Sequence, residues 1–185
     1  MEFDTFTETK GLKQIGKGMF SKVYGETDST VLINSSDPIK ECNALWGLAD
    51  SDLFPEIERI EYGCDSSLYR MKRYNKVRAP KKELLPDQYR IYTELRKLMR
   101  MSYENNYQFA DCVNSLDLDE DTKESIICAF ESCMNYTDKV GFEISPRNIA
   151  VDEGKLILLD CFFDRKRVIQ AWSKKAPGYA YKRWV

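Results

Sequence analysis

Glu143, Asn148 and Asp160 stand out because each breaks an apolar stretch, FEISPRNIAVDEGKLILLDCFFD (142–164). A surface strand alternates polar and apolar residues, whereas KLILLD runs apolar and then stops on a carboxylate. That pattern predicts a buried strand that delivers Asp160 to a defined place. A second group lies in IGKGMFSKVY, where Gly16 and Gly18 flank Lys17 and are followed by Phe20 and Val23. Two glycines let backbone N–H groups approach a phosphate closely. No G-K-[ST] follows, which excludes a Walker loop, and no third glycine opens a helix as a dinucleotide site requires. Two glycines also make an ordinary hairpin turn, and Asp160 could equally cap a neighbouring turn.

The chain contains no histidine. A Ser-His-Asp triad, a Cys-His pair and a histidine-bound metal are therefore all excluded. What remains favours positioning and metal electrostatics, the means by which phosphoryl groups are transferred.

The elements that must hold these residues can be read from periodicity. Residues 11–33 look extended, with a polar turn at ETDS. SDPIKECNALWGLA predicts a helix with Ser36 or Asp37 as N-cap and Pro38 in its first turn, burying Ile39, Cys42, Leu45 and Trp46. FPEIERIEYG and SSLYRMKRY suggest two further strands. Beyond the basic stretch NKVRAPKKELLP the period changes, and PDQYRIYTELRKLMRMSYE carries a helix face at 91, 95, 98 and 99. DEDTKESIICAFESCMNYTDKV is a second helix, its early acids suited to the N-terminal dipole. A hairpin and a basic tail with two tryptophans follow. The chain thus belongs to the α+β class, with a break near Tyr74 dividing 1–74 from a mainly helical 75–185.

Composition narrows the setting. Hydrophobic residues make up 43% of the 185, enough for a core and against global disorder. No run of about 18 apolar residues occurs, so no membrane span is expected. MEFDTFTETK lacks the basic start and apolar middle of a signal peptide. The six cysteines form no C-x-x-C pair, and are expected to be reduced, mostly buried thiols in a cytoplasmic protein. The net charge of −2 hides blocks: 41–65 hold seven acids and one base, 70–100 eleven bases and three acids, and 165–185 seven bases and no acid. Such blocks are either solvated faces or surfaces for a polyanion, nucleotide or nucleic acid.

The string G-x-G-x-F-S-x-V-Y at 16–24, together with E-x-x-x-x-N at 143–148 and a hairpin ending in DCF at 160–162, resembles the protein-kinase superfamily. Within it the chain looks most like the small, divergent serine/threonine kinases encoded by bacteriophages. The resemblance spans about residues 12 to 164 and implies a minimal two-lobed fold: an antiparallel sheet with one helix, then a reduced helical lobe bearing a catalytic-loop hairpin. It implies ATP and Mg2+ as cofactors, with Asn148 and Asp160 holding the metal. Gly16, Lys17, Gly18, Phe20 and Val23 would cover the nucleotide, and the segment from Met71 to Tyr74 would meet adenine. Glu143 would orient or deprotonate the acceptor hydroxyl of a host protein, in a host cytoplasm.

Three departures accompany it. Where the family's third strand ends in a phosphate-gripping lysine, TVLINSS has Asn34; Lys40, inside the helix, could reach inward instead. Glu41 is the candidate helix glutamate that would pair with that lysine. Glu143 stands where the family has aspartate, and only the short basic tail follows Asp164, leaving no room for the usual peptide-binding segments. An active kinase, an inactivated variant or a pseudokinase that binds a host partner all fit these departures. On the active reading, Asn34→Lys combined with Glu143→Asp restores transfer. A third reading, nucleic-acid binding, rests on the aromatic and basic residues of SKKAPGYAYKRWV (173–185), against the balanced global charge.

Overall fold

Five short runs, each with at least one β-branched or aromatic residue, form one antiparallel sheet. The computed structural model describes residues 3–46, 51–75 and 77–175. Its sheet contains β1 (Gln14–Lys17), β2 (Ser21–Gly25), β3 (Thr30–Ser35), β4 (Ile57–Tyr62) and β5 (Ser67–Lys72), in the order β1-β2-β3-β5-β4. The single helix α1 (Pro38–Trp46) lies between β3 and β4 in sequence. Asp37 caps it, its carboxylate accepting from Ile39 N at 3.0 Å, so the predicted start is the observed one.

Both faces of the sheet are covered. Val31, Ile33, Ile57 and Tyr69 form a cluster on one face, joined by Ile15, Val23, Ala44 and Met71. Because Ala44 belongs to α1, this is the face the helix packs on. Leu32 and Leu68 point the other way and meet Phe6, Leu12, Tyr24 and Ile60. The N-terminal segment is pinned there: Asp4 accepts from Asp65 N at 2.7 Å and Ser66 N at 2.8 Å. These two donors hold its carboxyl below the usual range.

The rest is mainly helical: α2 (Pro80–Glu83), α3 (Pro86–Leu98), α4 (Asn106–Asn114), α5 (Glu120–Met134) and α6 (Arg165–Lys175). Two small ladders complete it. β6 (Val140–Phe142) pairs with β9 (Phe162–Asp164), and β7 (Ile149–Asp152) with β8 (Lys155–Leu158). Leu95, Leu98, Val113, Ile126 and Phe142 share a core with Phe109, Phe130 and Phe162. The Phe109 and Phe130 rings stack at 3.8 Å within it. Ile39 and Cys42 of α1 enter the same core, so the helix leans on the sheet with one side and on the helices with another.

The β7–β8 hairpin turns on Glu153 (φ 51°) and Gly154 (φ 83°), the two left-handed residues that a tight hairpin turn demands. Leu85 N donates to Gly154 O at 2.9 Å, tying the start of α3 to this turn.

Several expectations need correction. Leu45 is not on the buried stripe of α1; it is 47% exposed, and Asn43 is buried instead. The Trp46 side chain lies outside the described residues. Met99 at the end of α3 is exposed, while Ile91, Leu95 and Leu98 are buried as the periodicity predicts. Helices α4 and α6 were not anticipated. Cys42, Cys133 and Cys161 are buried, Cys64 and Cys128 exposed and Cys112 intermediate, so burial holds for half the thiols; all six are free. Among the described residues no helix is long and apolar enough to cross a membrane.

Candidate active site

The apolar run ending at Asp160 does what its composition predicts. β8 is buried from Leu156 to Leu158, and Leu158 N donates to Leu53 O at 2.7 Å. The chain then turns, and Leu159 N donates to Asn148 O at 3.0 Å. Asp160 emerges with its side chain 56% exposed, and its Oδ1 lies 3.2 Å from Lys40 Nζ. Lys40 is only 9% exposed and also donates to Leu159 O at 2.8 Å. An ammonium on the first turn of α1 is thus held against a carboxylate more than a hundred residues later.

Asn34 does not share this site. Strand parity places it with Leu32 and Leu68, on the face opposite α1. There it is 2% exposed, Nδ2 donates to Asp4 O at 2.8 Å, and Oδ1 has no hydrogen-bond partner. The position facing α1 is Ile33. The buried cation beside Asp160 is Lys40, from α1. Glu41 is likewise committed elsewhere: Tyr69 donates to it at 2.6 Å and Arg59 pairs with its other oxygen.

The glycine hairpin closes β1 onto β2. Gly18 N donates to Ser21 O at 2.8 Å. A methyl at Gly16 would stand 3.3 Å from Val23 Cβ, which explains glycine there. At Gly18 such a methyl would meet Ser21 at ordinary contact distance, 3.8 Å from its carbonyl oxygen. Lys17 is exposed beside it. Phe20 turns inward and is buried, and its carbonyl accepts from Ser36 N at 3.0 Å and Ser35 Oγ at 3.2 Å. Val23 and Met71 lie half-buried on the α1 face with Ile15, an incompletely covered apolar patch beside the hairpin.

The hairpin and the Lys40–Asp160 pair are linked through residues not singled out in the sequence. Arg167, from α6, donates to Ser36 O and lies over the Phe20 ring at 5.0 Å. Asp37 is buried between these groups. Burial, and secondarily the negative charge of Asp160, push its carboxyl up to about 6, against the pull of Ile39 N, Lys40 and Arg167. The folded protein therefore binds this proton more tightly than the unfolded chain. The resulting destabilisation is absent below about pH 4, develops up to about pH 6 and is complete above it. From 3.8 to about 6 it amounts to about 3 kcal/mol. Asp37→Asn keeps the helix cap and removes the charge. The variant is expected to melt roughly 6–12 °C above the parent at pH 8, and close to it at pH 4. A melting difference that does not change between those pH values would refute the buried-acid account.

Glu143 and Asn148 bracket a tight loop. Glu143 N donates to Cys161 O at 2.8 Å, extending the β6–β9 pairing to the residue beside Asp160. Asn148 Nδ2 donates to Glu143 O at 2.7 Å, and Oδ1 accepts from Ser145 N at 2.6 Å. Asn148 thus locks the loop with both ends of its amide. Burial and the neighbouring Asp160 charge raise the Cys161 thiol, keeping it protonated. Glu143 also lies on the wall of a cleft of about 720 Å³, with Tyr103, Gln108, Phe163 and Arg165 among its other lining residues.

For a divalent cation the fit is partial. Asp160 offers a half-exposed carboxylate, a hard ligand suited to Mg2+. Asn148 Oδ1 already takes a short backbone hydrogen bond. Among the described residues no three His, Cys, Asp or Glu side chains cluster as a protein-only metal site.

Among the described residues, four of the eleven bases in 70–100 pair with acids within the molecule. Arg70 pairs with Glu26 and Glu58, Lys72 with Asp152, Arg90 with Asp117, and Lys97 with Glu94. The tail residues 176–185, which carry most of the nucleic-acid reading, lie outside the described residues.

No family model matches the chain, and neither does any curated protein. Among solved structures it is similar to the crystal structure of an aminoglycoside phosphotransferase, APH(4)-Ia, at 14% identity, over 94% of this chain and 78% of that one. The TM-score is 0.36, a likeness too loose to carry an argument about chemistry.

Proposed function

We propose that the chain is an ATP- and Mg2+-dependent phosphotransferase of protein-kinase-like build. Its glycine hairpin and sheet (1–74) would cover the nucleotide, and its helical part (75–185) would supply the acidic groups. The observation that carries this reading is the Lys40–Asp160 pair, a buried ammonium and a half-exposed carboxylate linked through Asp37 and Arg167 to a glycine hairpin. Lys40 is suited to bind phosphate oxygens, and Asp160 to hold a metal ion beside them. Bound Mg2+ would neutralise charge on the transferred phosphoryl group. The turn at Gly16, Lys17 and Gly18 would approach the phosphates, with Lys17 exposed beside them. Phe20 anchors the hairpin, while Val23 and Met71 offer an apolar surface to adenine. Glu143, on the wall of the 720 Å³ cleft, would orient an acceptor hydroxyl, which we take to be a serine or threonine of a host protein.

Calorimetry on the full chain tests the reading. ATP binding should tighten at least tenfold with Mg2+ in the parent, and this Mg2+ dependence should disappear in Asp160→Ala. Binding indifferent to both Mg2+ and Asp160 would refute it. A second reading, a nucleotide-binding protein without transfer, draws on Asn148, whose Oδ1 is engaged by Ser145. Mg2+-dependent binding with no transfer of labelled phosphate, to itself or to a bacterial lysate, would favour that reading.

A further inference from the structure

The three basic residues that open α6 are consecutive, yet each braces a different part of the molecule. Arg165 lies over the Tyr103 ring at 4.6 Å, just ahead of α4. Lys166 pairs with Asp138 at 2.7 Å, beyond the end of α5. Arg167 alone reaches the sheet, where it donates to Ser36 O and stacks on Phe20. Its backbone is fixed by the helix start, with Arg167 N donating to Asp164 Oδ1 at 3.1 Å.

Phe20 is the tip of the glycine hairpin, and Ser36 joins β3 to α1. The hairpin tip is thus held from two sides. Ser36 N and Ser35 Oγ bind the Phe20 carbonyl, and Ser21 Oγ bonds Ser35 Oγ at 2.7 Å. The guanidinium closes the remaining side by binding the ring of one residue and the carbonyl of the other. A planar, delocalised cation can stack and donate at once, which a point charge does less well. Arg167 also follows Asp160 by only seven residues, so the carboxylate and the clamp on the hairpin ride on one short segment.

We propose that Arg167 is the positioning residue that fixes the tip of the glycine hairpin against the β3–α1 junction, which leads into Lys40. Its consequence for nucleotide rests on the phosphotransferase reading; the clamp itself does not. Without Arg167 the hairpin tip keeps its Ser35 and Ser36 contacts but loses the guanidinium. The hairpin then no longer keeps a fixed position relative to the Lys40–Asp160 pair, and nucleotide binding weakens although no group that would touch the nucleotide has been removed.

Hydrogen exchange on the full chain without nucleotide tests the clamp. In Arg167→Ala, the amides of Gly18 and Ser36 should exchange at least tenfold faster, while those of β3 and β5 keep their protection. Phe20→Leu should reproduce this, Arg167→Lys should recover part of the protection, and Lys166→Ala, on the same helix, should leave the hairpin unchanged. Unaltered exchange at Gly18 and Ser36 in Arg167→Ala would overturn the proposal. So would acceleration spread evenly over the chain, or an equal effect from Lys166→Ala, since either would mean general loosening of α6. ATP titration is a separate arm: Kd should rise about tenfold in Arg167→Ala and recover in part with lysine. A loosened hairpin in a protein whose parent binds no ATP would uphold the clamp and sink the phosphotransferase reading. A loosened hairpin with unchanged ATP affinity would overturn the positioning role.

Discussion

Lys40→Met is expected to lower phosphate transfer from ATP by about 10²–10³-fold, the loss seen when one preorganised charge-stabilising donor is removed. Methionine keeps much of the lysine stem, so packing at the buried position is largely retained while the charge is lost. What disappears is the ammonium that lies 3.2 Å from Asp160 and donates to Leu159 O. Single-turnover transfer of labelled γ-phosphate, to the chain itself or to a bacterial lysate, measures the effect. The melting temperature should move only a few degrees, separating lost chemistry from lost fold. Parent-like transfer in Lys40→Met would remove Lys40 from the site.

Asn34→Lys has the opposite character. By alignment with the kinase pattern it looks restorative; by strand parity it is damaging. The new ammonium would be buried beside Leu32, Leu68 and Phe6, on the sheet face away from α1. Asp4 O, which now accepts from Asn34 Nδ2, is a single neutral acceptor and cannot balance a full charge. An unpaired buried charge of this kind costs about 3–5 kcal/mol. The variant should therefore melt roughly 6–20 °C lower. It should gain no phosphate transfer, alone or combined with Glu143→Asp. A gain in transfer with unchanged melting would mean that position 34 faces the nucleotide, contrary to the observed register.

The difference between these two lysines shows where the sequence can be read and where it cannot. Asp37 and Pro38 announce the start of α1, and KLILLD announces a buried strand ending on a carboxylate, because caps and apolar runs leave local marks. The parity of β3 leaves none. Both faces of TVLINS are covered, one by α1 and the other by the N-terminal segment, so the strand shows no alternation from which to choose a face. A one-residue difference then decides whether a side chain meets α1 or the opposite cluster. Arg167 was hidden for another reason. In a tail of seven bases it looks like surface charge, and its partners, an aromatic ring and a backbone carbonyl, are not complementary charges that a sequence displays. In the basic block from 70 to 100 the obstacle is distance along the chain: Arg70, Lys72 and Arg90 pair with acids outside the block.

The span of the Lys40 contact also has a consequence during synthesis. All five strands of the sheet lie before residue 73, so its ladder can close while the remainder is still being translated. Lys40 cannot meet its partners then, because Leu159 lies 119 residues further on, and Ser36 waits for Arg167 across 131. From the end of β5 at Lys72 to Arg167 is about 95 residues, which at about 5–20 residues per second take roughly 5 to 19 seconds. Through that time the nascent sheet presents an unpaired lysine and a partly uncovered apolar face. The segment that completes the site is also the one that ends this exposure.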